Sequence, residues 1–366
     1  MTADRIAHRA WNRQDTFGGV LSAALVPAAI AYGAGVRVRN FLYDRGWRRA
    51  ARVGVPVLSV GNLTVGGTGK TPVVVWLAEE LERRGYAVGV VSRGYGRRSR
   101  GTQVVALGGR LLVDVEAAGD EPAMIGRRIR GPVVVAGQRA AGARVAIERG
   151  ARVLLLDDGF QHRAIARDFD LLLVDDERPV GNGWPLPSGP LRESLRGATR
   201  ADAVLAIDRR SPRAEEGAGG SWAHAGLFPR PCHRGVLVPR ALVWPDGDAW
   251  TEEPLARLAG QRIVVVTGIV GPQALYAMVQ QWEGQIVNAL EFPDHHWYDR
   301  DDFAAIRKAA READLIVTTE KDLVKLECFP FARGGLMALR LGVAVAGAAQ
   351  LLAAIGAALR RDSGPS

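Results

Sequence analysis

The chain reads as α/β: a parallel sheet covered on both faces by helices, a second and smaller α/β unit after it, and a helical segment in front. Three observations predict this. Apolar runs of five or six residues, too continuous for half-exposed strands, alternate with helical stretches from Pro56 onward. A glycine-rich turn joins the first of those runs to the first helical stretch. A second series of run, turn and helix begins at Arg262, beyond a segment dominated by Pro, Gly and charge.

The elements follow in order. Residues 16–36 carry no charge, with Arg5, Arg9 and Arg13 before them and Arg37, Arg39, Arg45, Arg48 and Arg49 after. Length alone allows a membrane span. Pro27 and the Gly and Ala content make the stretch weakly hydrophobic, however, and basic residues on both flanks give no inside/outside bias. A secretory signal ending near Ala29–Ala31 and an ordinary buried helix are further readings. A helix lying on a membrane, its flanking Arg at anionic headgroups, fits best. Strands are expected at 56–60, 87–92, 132–136, 152–156, 170–174 and 203–207, with helices near 72–84 and 140–149. Residues 211–220 read as a boundary. Beyond it come strands at 262–267, 286–290 and 314–318, and helices from Pro272 and near 300–312. The Ala/Leu-rich tail 343–359 reads as a helix, and the last few residues as disordered. The expected organisation is a membrane-associating segment 1–52, a main domain 53–210, a second α/β domain 211–342, and a C-terminal helix and tail 343–366.

Composition sets the limits. With 366 residues, 48% hydrophobic and 24% charged, the chain can bury sizeable cores, and disorder is excluded as its main state. Two cysteines, Cys232 and Cys328, exclude a disulfide framework and a Cys-rich metal cluster, and suit a reducing compartment. The net charge of +9 invites nucleic acid as a partner, but no aromatic-basic stripe supports it. Only four of the 48 basic residues are lysines: Lys70, Lys308, Lys321 and Lys325. So strong a bias discounts the net charge as a signal and makes each lysine worth locating.

One lysine falls in the glycine-rich turn. Gly61-Asn-Leu-Thr-Val-Gly-Gly-Thr-Gly-Lys-Thr71 lies between a strand and a helix, the setting of a P-loop, and makes the main domain P-loop NTPase-like. Thr64, Val65, Gly66, Gly67, Thr68, Gly69, Lys70 and Thr71 would cradle phosphate, with Lys70 on the β- and γ-phosphates and the Thr71 hydroxyl on Mg²⁺. The standard pattern has Gly six residues before the Lys, where this chain has Thr64.

Acids surround that loop in the sequence. An apolar strand ends in Asp157-Asp158, the expected source of a carboxylate on the metal side. Adjacent residues leaving a strand point to opposite sides, so one can cap while the other serves the ion. Asp120, in Gly119-Asp-Glu-Pro122, reads by spacing as a helix cap before it reads as a base. Asp294-His295-His296 lacks the further ligands of a zinc site, which leaves loop histidines or a catalytic role.

Seven motifs occur together: GNLTVGGTGKTP (61–72), SRGYGR (92–97), GDEP (119–122), LLLDDGFQHR (154–163), PSGPLRES (187–194), FPDHHWY (292–298) and TTEKDLVKL (318–326). In this order they closely resemble the tetraacyldisaccharide 4′-kinase family, over nearly the whole chain. The resemblance implies transfer of the γ-phosphate of ATP to the 4′-hydroxyl of a lipid A disaccharide 1-phosphate, with Mg²⁺, at the cytoplasmic face of the bacterial inner membrane. It implies two lobes closing over the nucleotide, and no obligate protein partner is inferred. By position, Asp120 matches the family's catalytic carboxylate and His295 its partner. Lys70 and Thr71 match phosphate and metal positions, Asp157 and Asp158 the acidic pair, and Arg192 and Glu193 the LRE element. Thr71, Asp158 and Glu193 form the implied metal set. Ser194 stands where the family pattern usually has Pro.

The rival reading is a membrane-associated ParA-like ATPase switch. Its loop carries an extra lysine near the start, which Gly61–Thr68 lacks. A GTPase is disfavoured because no Asn-Lys-x-Asp element is found.

Overall fold

The computed structural model describes Trp11 and residues 16–209, 224–247, 249–331 and 334–361. The chain opens with two helices, α1 (Thr16–Ala24) and α2 (Val26–Asp44), bent by 48° at their junction. Pro27 sits in the first turn of α2, where its missing N–H costs little, and it prevents one straight helix through the junction. Among the described residues no single helix is long and apolar enough to cross a membrane; the bent pair passes by length and composition only.

The strands and helices of the next segment are β1 (Val57–Asn62), α3 (Lys70–Arg83), β2 (Val88–Ser92), β3 (Gln103–Leu107), β4 (Arg110–Leu111), α4 (Val115–Ala118), α5 (Asp120–Arg128), β5 (Val133–Val135), α6 (Arg139–Glu148), β6 (Val153–Asp157), β7 (Phe169–Asp175) and β8 (Ala203–Asp208). Then follow β9 (Cys232–Asp246), β10 (Ala249–Glu253), β11 (Arg262–Thr267), α7 (Gln273–Gln281), β12 (Gln285–Glu291), α8 (Arg300–Ala309), β13 (Leu315–Thr319), α9 (Glu320–Leu326), β14 (Leu336–Val345) and α10 (Ala348–Arg361).

Among the described residues the strands form one sheet, in the order β12-β11-β13-β14-β9-β8-β7-β1-β6-β2-β5-β3-β4, with β10 beside β9. β1 lies parallel between β6 and β7 and is buried along its whole length. Helix α3 buries Val73, Val74, Leu77 and Leu81 against it. Each such leucine stabilises the fold by about 2 kcal/mol.

The expected boundary at 211–220 lies outside the described residues, as do Arg5, Arg9, Arg13 and the tail beyond 361. On either side of that boundary the strands belong to the same sheet. Long β9 runs parallel to β8 and antiparallel to β14, so the strands of the second half run opposite to those of the first. The expected strands and helices between 56 and 319 are present with ends shifted by a residue or two. The C-terminal expectation needs correction: 343–345 finish strand β14, and the helix starts only at Ala348. The alternation Leu341, Val343, Val345 is a strand period that the Ala-rich composition masked.

Candidate active site

The loop between β1 and α3 is shaped by glycine and by its neighbours. Gly69 has φ +74°, and a Cβ there would lie 3.2 Å from Ile207 Cγ2, so only glycine enters the helix at this angle. Thr64 has no need of glycine's freedom: it pairs as an isolated bridge with Leu191, and Val65 N–H donates to Pro190 carbonyl at 2.8 Å. That pairing accounts for the departure from the standard pattern. The same pairing brings Arg192 to the loop, its N–H donating to Leu63 carbonyl.

Lys70 opens α3 and donates to Asn62 Oδ1 at 3.3 Å, with Asp158 Oδ1 at 3.8 Å. Asn62 in turn donates to Thr68 Oγ1 at 2.9 Å. Thr71 is buried in the first turn of the helix.

Asp157 and Asp158 diverge as alternation requires. Asp157 is buried and accepts from Ser92 Oγ at 2.8 Å. Burial, then the charge of Asp158, push its carboxyl up from the ordinary range. Asp158 sits at φ +50°, a strained position for a side-chain-bearing residue, and receives Arg192 Nη1 on both oxygens at 2.7 and 2.8 Å. Burial raises it too, but Lys70 and Arg192 outweigh that and hold it down as a carboxylate. Glu193 faces elsewhere: Oε1 accepts from Arg200 and Gln161, and Oε2 from Asn40 of α2.

Asp120 begins α5 after Gly119, which occupies the cap position itself. The Asp120 carboxylate lies 3.0 and 2.9 Å from Nδ1 of His295, a residue remote in sequence. His295 is itself at φ +58°. Its hydrogen bond holds the carboxyl of Asp120 low against the opposing effect of burial. His296 turns away to Asp302, at 2.7 Å. Helix α9 packs on α5 and supplies Lys321, 3.1 Å from His295 Nε2, and buried Lys325, 3.6 Å from Asp120 Oδ2.

The structure therefore brings together two groups of expected residues: Lys70, Asp158 and Arg192 beside Thr71, and Asp120 with His295. Glu121 stands next to Asp120, 3.9 Å from Lys321; its carboxyl is pushed up by burial and then by the charge of Asp157, while Lys321 and His295 pull it down. Three of the four lysines lie here, the third signal that composition held. One feature has no counterpart in the sequence reading. His162 is driven down to about 4 by burial and by Arg139, Arg167, Arg39 and Arg93, a cationic surround assembled from four separate segments.

The sequence model of the tetraacyldisaccharide-1-P 4′-kinases matches residues 21–360. A tetraacyldisaccharide 4′-kinase of Syntrophus aciditrophicus is 43% identical over 310 residues, covering 81% of this chain and 82% of its own. One from Anaeromyxobacter sp. (strain Fw109-5) is 38% identical over 366 residues, 97% of each chain. A crystal structure described as "apo" form LpxK from Aquifex aeolicus in complex with ATP is similar at TM-score 0.76 and 30% identity, over 93% of this chain and 99% of that one.

Proposed function

The chain belongs to the tetraacyldisaccharide-1-P 4′-kinase family, and from that premise we propose how its residues divide the work. The reaction is ATP-dependent transfer of the γ-phosphate to the 4′-hydroxyl of a tetraacyldisaccharide 1-phosphate, in lipid A biosynthesis. The observation that carries the assignment of roles is the Asp120–His295 pair, made between residues far apart in sequence. An ATPase switch has no use for such a pair, and the family match leaves that rival without support.

A sugar hydroxyl is a weak nucleophile at neutral pH, so a carboxylate must accept its proton as it attacks. Asp120 is buried, ionised and steered by His295, which suits it to that step. Lys70 and the loop N–H groups meet the β- and γ-phosphates, and Arg192 holds Asp158 in place. Mg²⁺ fits the residues present: Asp158, beside Lys70, is a partly exposed, ionised carboxylate and Thr71, next to Lys70 in the first turn of α3, carries a hydroxyl, both hard oxygen donors. Glu193, the third expected ligand, already accepts from Arg200, Gln161 and Asn40, and would have to give up one of these bonds to hold such an ion directly. Bound there with ATP, the ion would neutralise charge on the phosphates. Asp157, raised and buried, supports the turn from behind.

The anionic 1-phosphate of the acceptor finds its complement in the arginines around His162. The acyl chains find theirs on α1 and α2, where Phe17, Val20, Ile30 and Val38 face outward. These helices are tied to the site by Tyr32 Oη donating to Arg192 carbonyl at 2.9 Å and by Asn40 on Glu193. We place the protein at the cytoplasmic face of the inner membrane on that ground, resting on the surface by the bent pair.

The test offers γ-labelled ATP and the tetraacyldisaccharide 1-phosphate to the full chain in detergent micelles. Label should appear in the lipid, and Asp120→Asn should block it. ATP hydrolysis without labelled lipid would overturn the proposal.

A further inference from the structure

Lys321 stands where the reaction gives it no evident part. Its Nζ is 3.0 Å from Asp294 Oδ1, 3.9 Å from Glu121 Oε1, and 3.1 Å from Nε2 of His295. An ammonium has donors and no acceptor, so the last contact requires Nε2 to carry no proton. The proton of a neutral ring then sits on Nδ1, the atom 2.9 Å from Asp120 Oδ2. Two contacts, one at each ring nitrogen, thus define a single tautomer.

We propose that Lys321 is a positioning residue for phosphoryl transfer, holding His295 in the neutral tautomer whose Nδ1 proton faces Asp120. This rests on the reading of Asp120 as proton acceptor. In that tautomer His295 donates one hydrogen bond and leaves the remaining lone pairs of the carboxylate for the substrate hydroxyl. An imidazolium would instead form an ion pair with Asp120 and lower its basicity, the property the step needs.

The groups facing the ring come from every element packed on it. Asp120 and Glu121 belong to α5, Tyr95 to the loop after β2 with its ring centroid 5.3 Å away, Asp294 to the ring's own loop, and Lys321 and Lys325 to α9. Burial disfavours the charged ring, but Asp120 outweighs it and draws His295 toward imidazolium, and Lys321 is the cation opposing that pull. Lys321 itself stays protonated, because Asp120, Glu121 and Asp294 more than offset its burial. The choice of residue agrees: in a chain that uses Arg almost everywhere, this position holds a compact point charge with one short reach.

The experiment is nitrogen-15 NMR of histidine-labelled full-length protein, the His295 signals assigned by loss in His295→Gln. Wild type, at a pH above the raised pKa of the ring, should show a bare Nε2 and a protonated Nδ1. In Lys321→Met the ring should charge or shift its proton, and Lys321→Arg should restore the wild-type pattern in large part. In parallel, the acidic limb of the kcat–pH profile should move up by about one unit in Lys321→Met. The sign follows because an unopposed Asp120 raises the pKa of His295, so the neutral ring appears only at higher pH. KM for ATP should hold. An imidazolium in wild type, or unchanged ring signals in Lys321→Met, would overturn the proposal. Should the Met variant not fold, Lys321→Gln and the wild-type spectrum decide it. Activity surviving in Asp120→Asn would sink the acceptor reading instead, and the spectrum would still report the tautomer.

Discussion

Asp157 and Asp158 are neighbours in sequence with carboxyls driven in opposite directions, the first up by burial and the second down by Lys70 and Arg192. Function at this scale is set by what each side chain faces. Lys70→Ala removes the cation beside Asp158 and the proposed phosphates while taking little packing with it. Turnover should fall at least a hundredfold, against the several kcal/mol that such clamps supply, with melting temperature nearly unchanged. Steady-state kinetics and calorimetry check both halves. Asp120→Asn keeps the shape and cannot accept a proton, so kcat should fall by roughly 10²–10⁴ while ATP affinity holds. A defect confined to ATP binding would return Asp120 to a structural part in α5. His162 gives a pH test. Its folded value, about 4, lies below the unfolded 6.5, so its contribution to stability is present above 6.5 and is lost as pH falls through 4. An anion bound beside Arg39 and Arg93 should raise that value, which NMR titration with the phosphorylated disaccharide would detect. The phosphate loop and the acid pair were legible in the sequence because each is local, a turn or a strand end. Spacing alone made Asp120 a cap, and only the resemblance singled it out. The arginines around His162 and the reach of Lys321 to His295 were not legible, since folding alone assembles them.

At the scale of elements, periodicity located strands well wherever both faces are buried, as in β1, β6 and β8, because such runs are continuously apolar. It missed β9, whose two buried runs are interrupted at Pro239 and Arg240, and it failed where a strand has one exposed face or few residues. β3, β4 and β10 fall in that class, and β14 was masked by alanine. The uncharged stretch at the N-terminus was legible as a helix but not as two, since one proline sets the break. The two helices explain each other's exposure. Phe17, Val20, Ile30 and Val38 are each more than half exposed, an apolar face that water does not favour, while Ser22 is buried against Ser188 on the other side. Replacing these four with Ser should weaken binding to vesicles containing anionic lipid by roughly a hundredfold or more, at about 1 kcal/mol lost per side chain. KM for the lipid acceptor should rise, and ATP affinity should stay. Sedimentation with vesicles measures the first and kinetics in micelles the second. Raised salt should loosen binding further, because Arg37, Arg45, Arg48 and Arg49 act across only about 10 Å. Salt-insensitive retention of the variant would place membrane attachment elsewhere.

The whole molecule has to hold Asp120 and His295, from opposite halves of the chain, at hydrogen-bond distance. β8 and β9 join the halves through the sheet, and a second link lies between α5 and α9. There Arg128 donates to both oxygens of Glu320 at 3.1 Å and to Glu79 of α3 at 2.9 Å, all within a buried seam. Its charge is secured, for although burial lowers its pKa, Glu320 and Glu79 raise it further. Arg127 adds a bond to Glu327 at 2.7 Å, whose other oxygen takes Trp250. Asp120 begins the same helix that ends in these arginines, and Lys321 follows Glu320 directly. The seam therefore sets the register of the acceptor against its histidine. Removing one partner of a buried ion pair leaves the other charge uncompensated, a loss of roughly 3–5 kcal/mol. Arg128→Met should fall below that range, because Arg340 still donates to Glu320 at 3.0 Å. Denaturant titration would measure it. The catalytic effect should exceed what lost stability explains: kcat should drop in protein that is still fully folded, with ATP affinity retained, because the two helices slip while the phosphate loop does not. Arg128→Met combined with Glu320→Gln should recover little stability, because Arg340 then loses the Glu320 carboxylate and keeps only Glu252, and it should recover neither the register nor kcat. If the double variant regained both together, the seam would be holding the fold alone, and the alignment of Asp120 with His295 would have to come from β8 and β9.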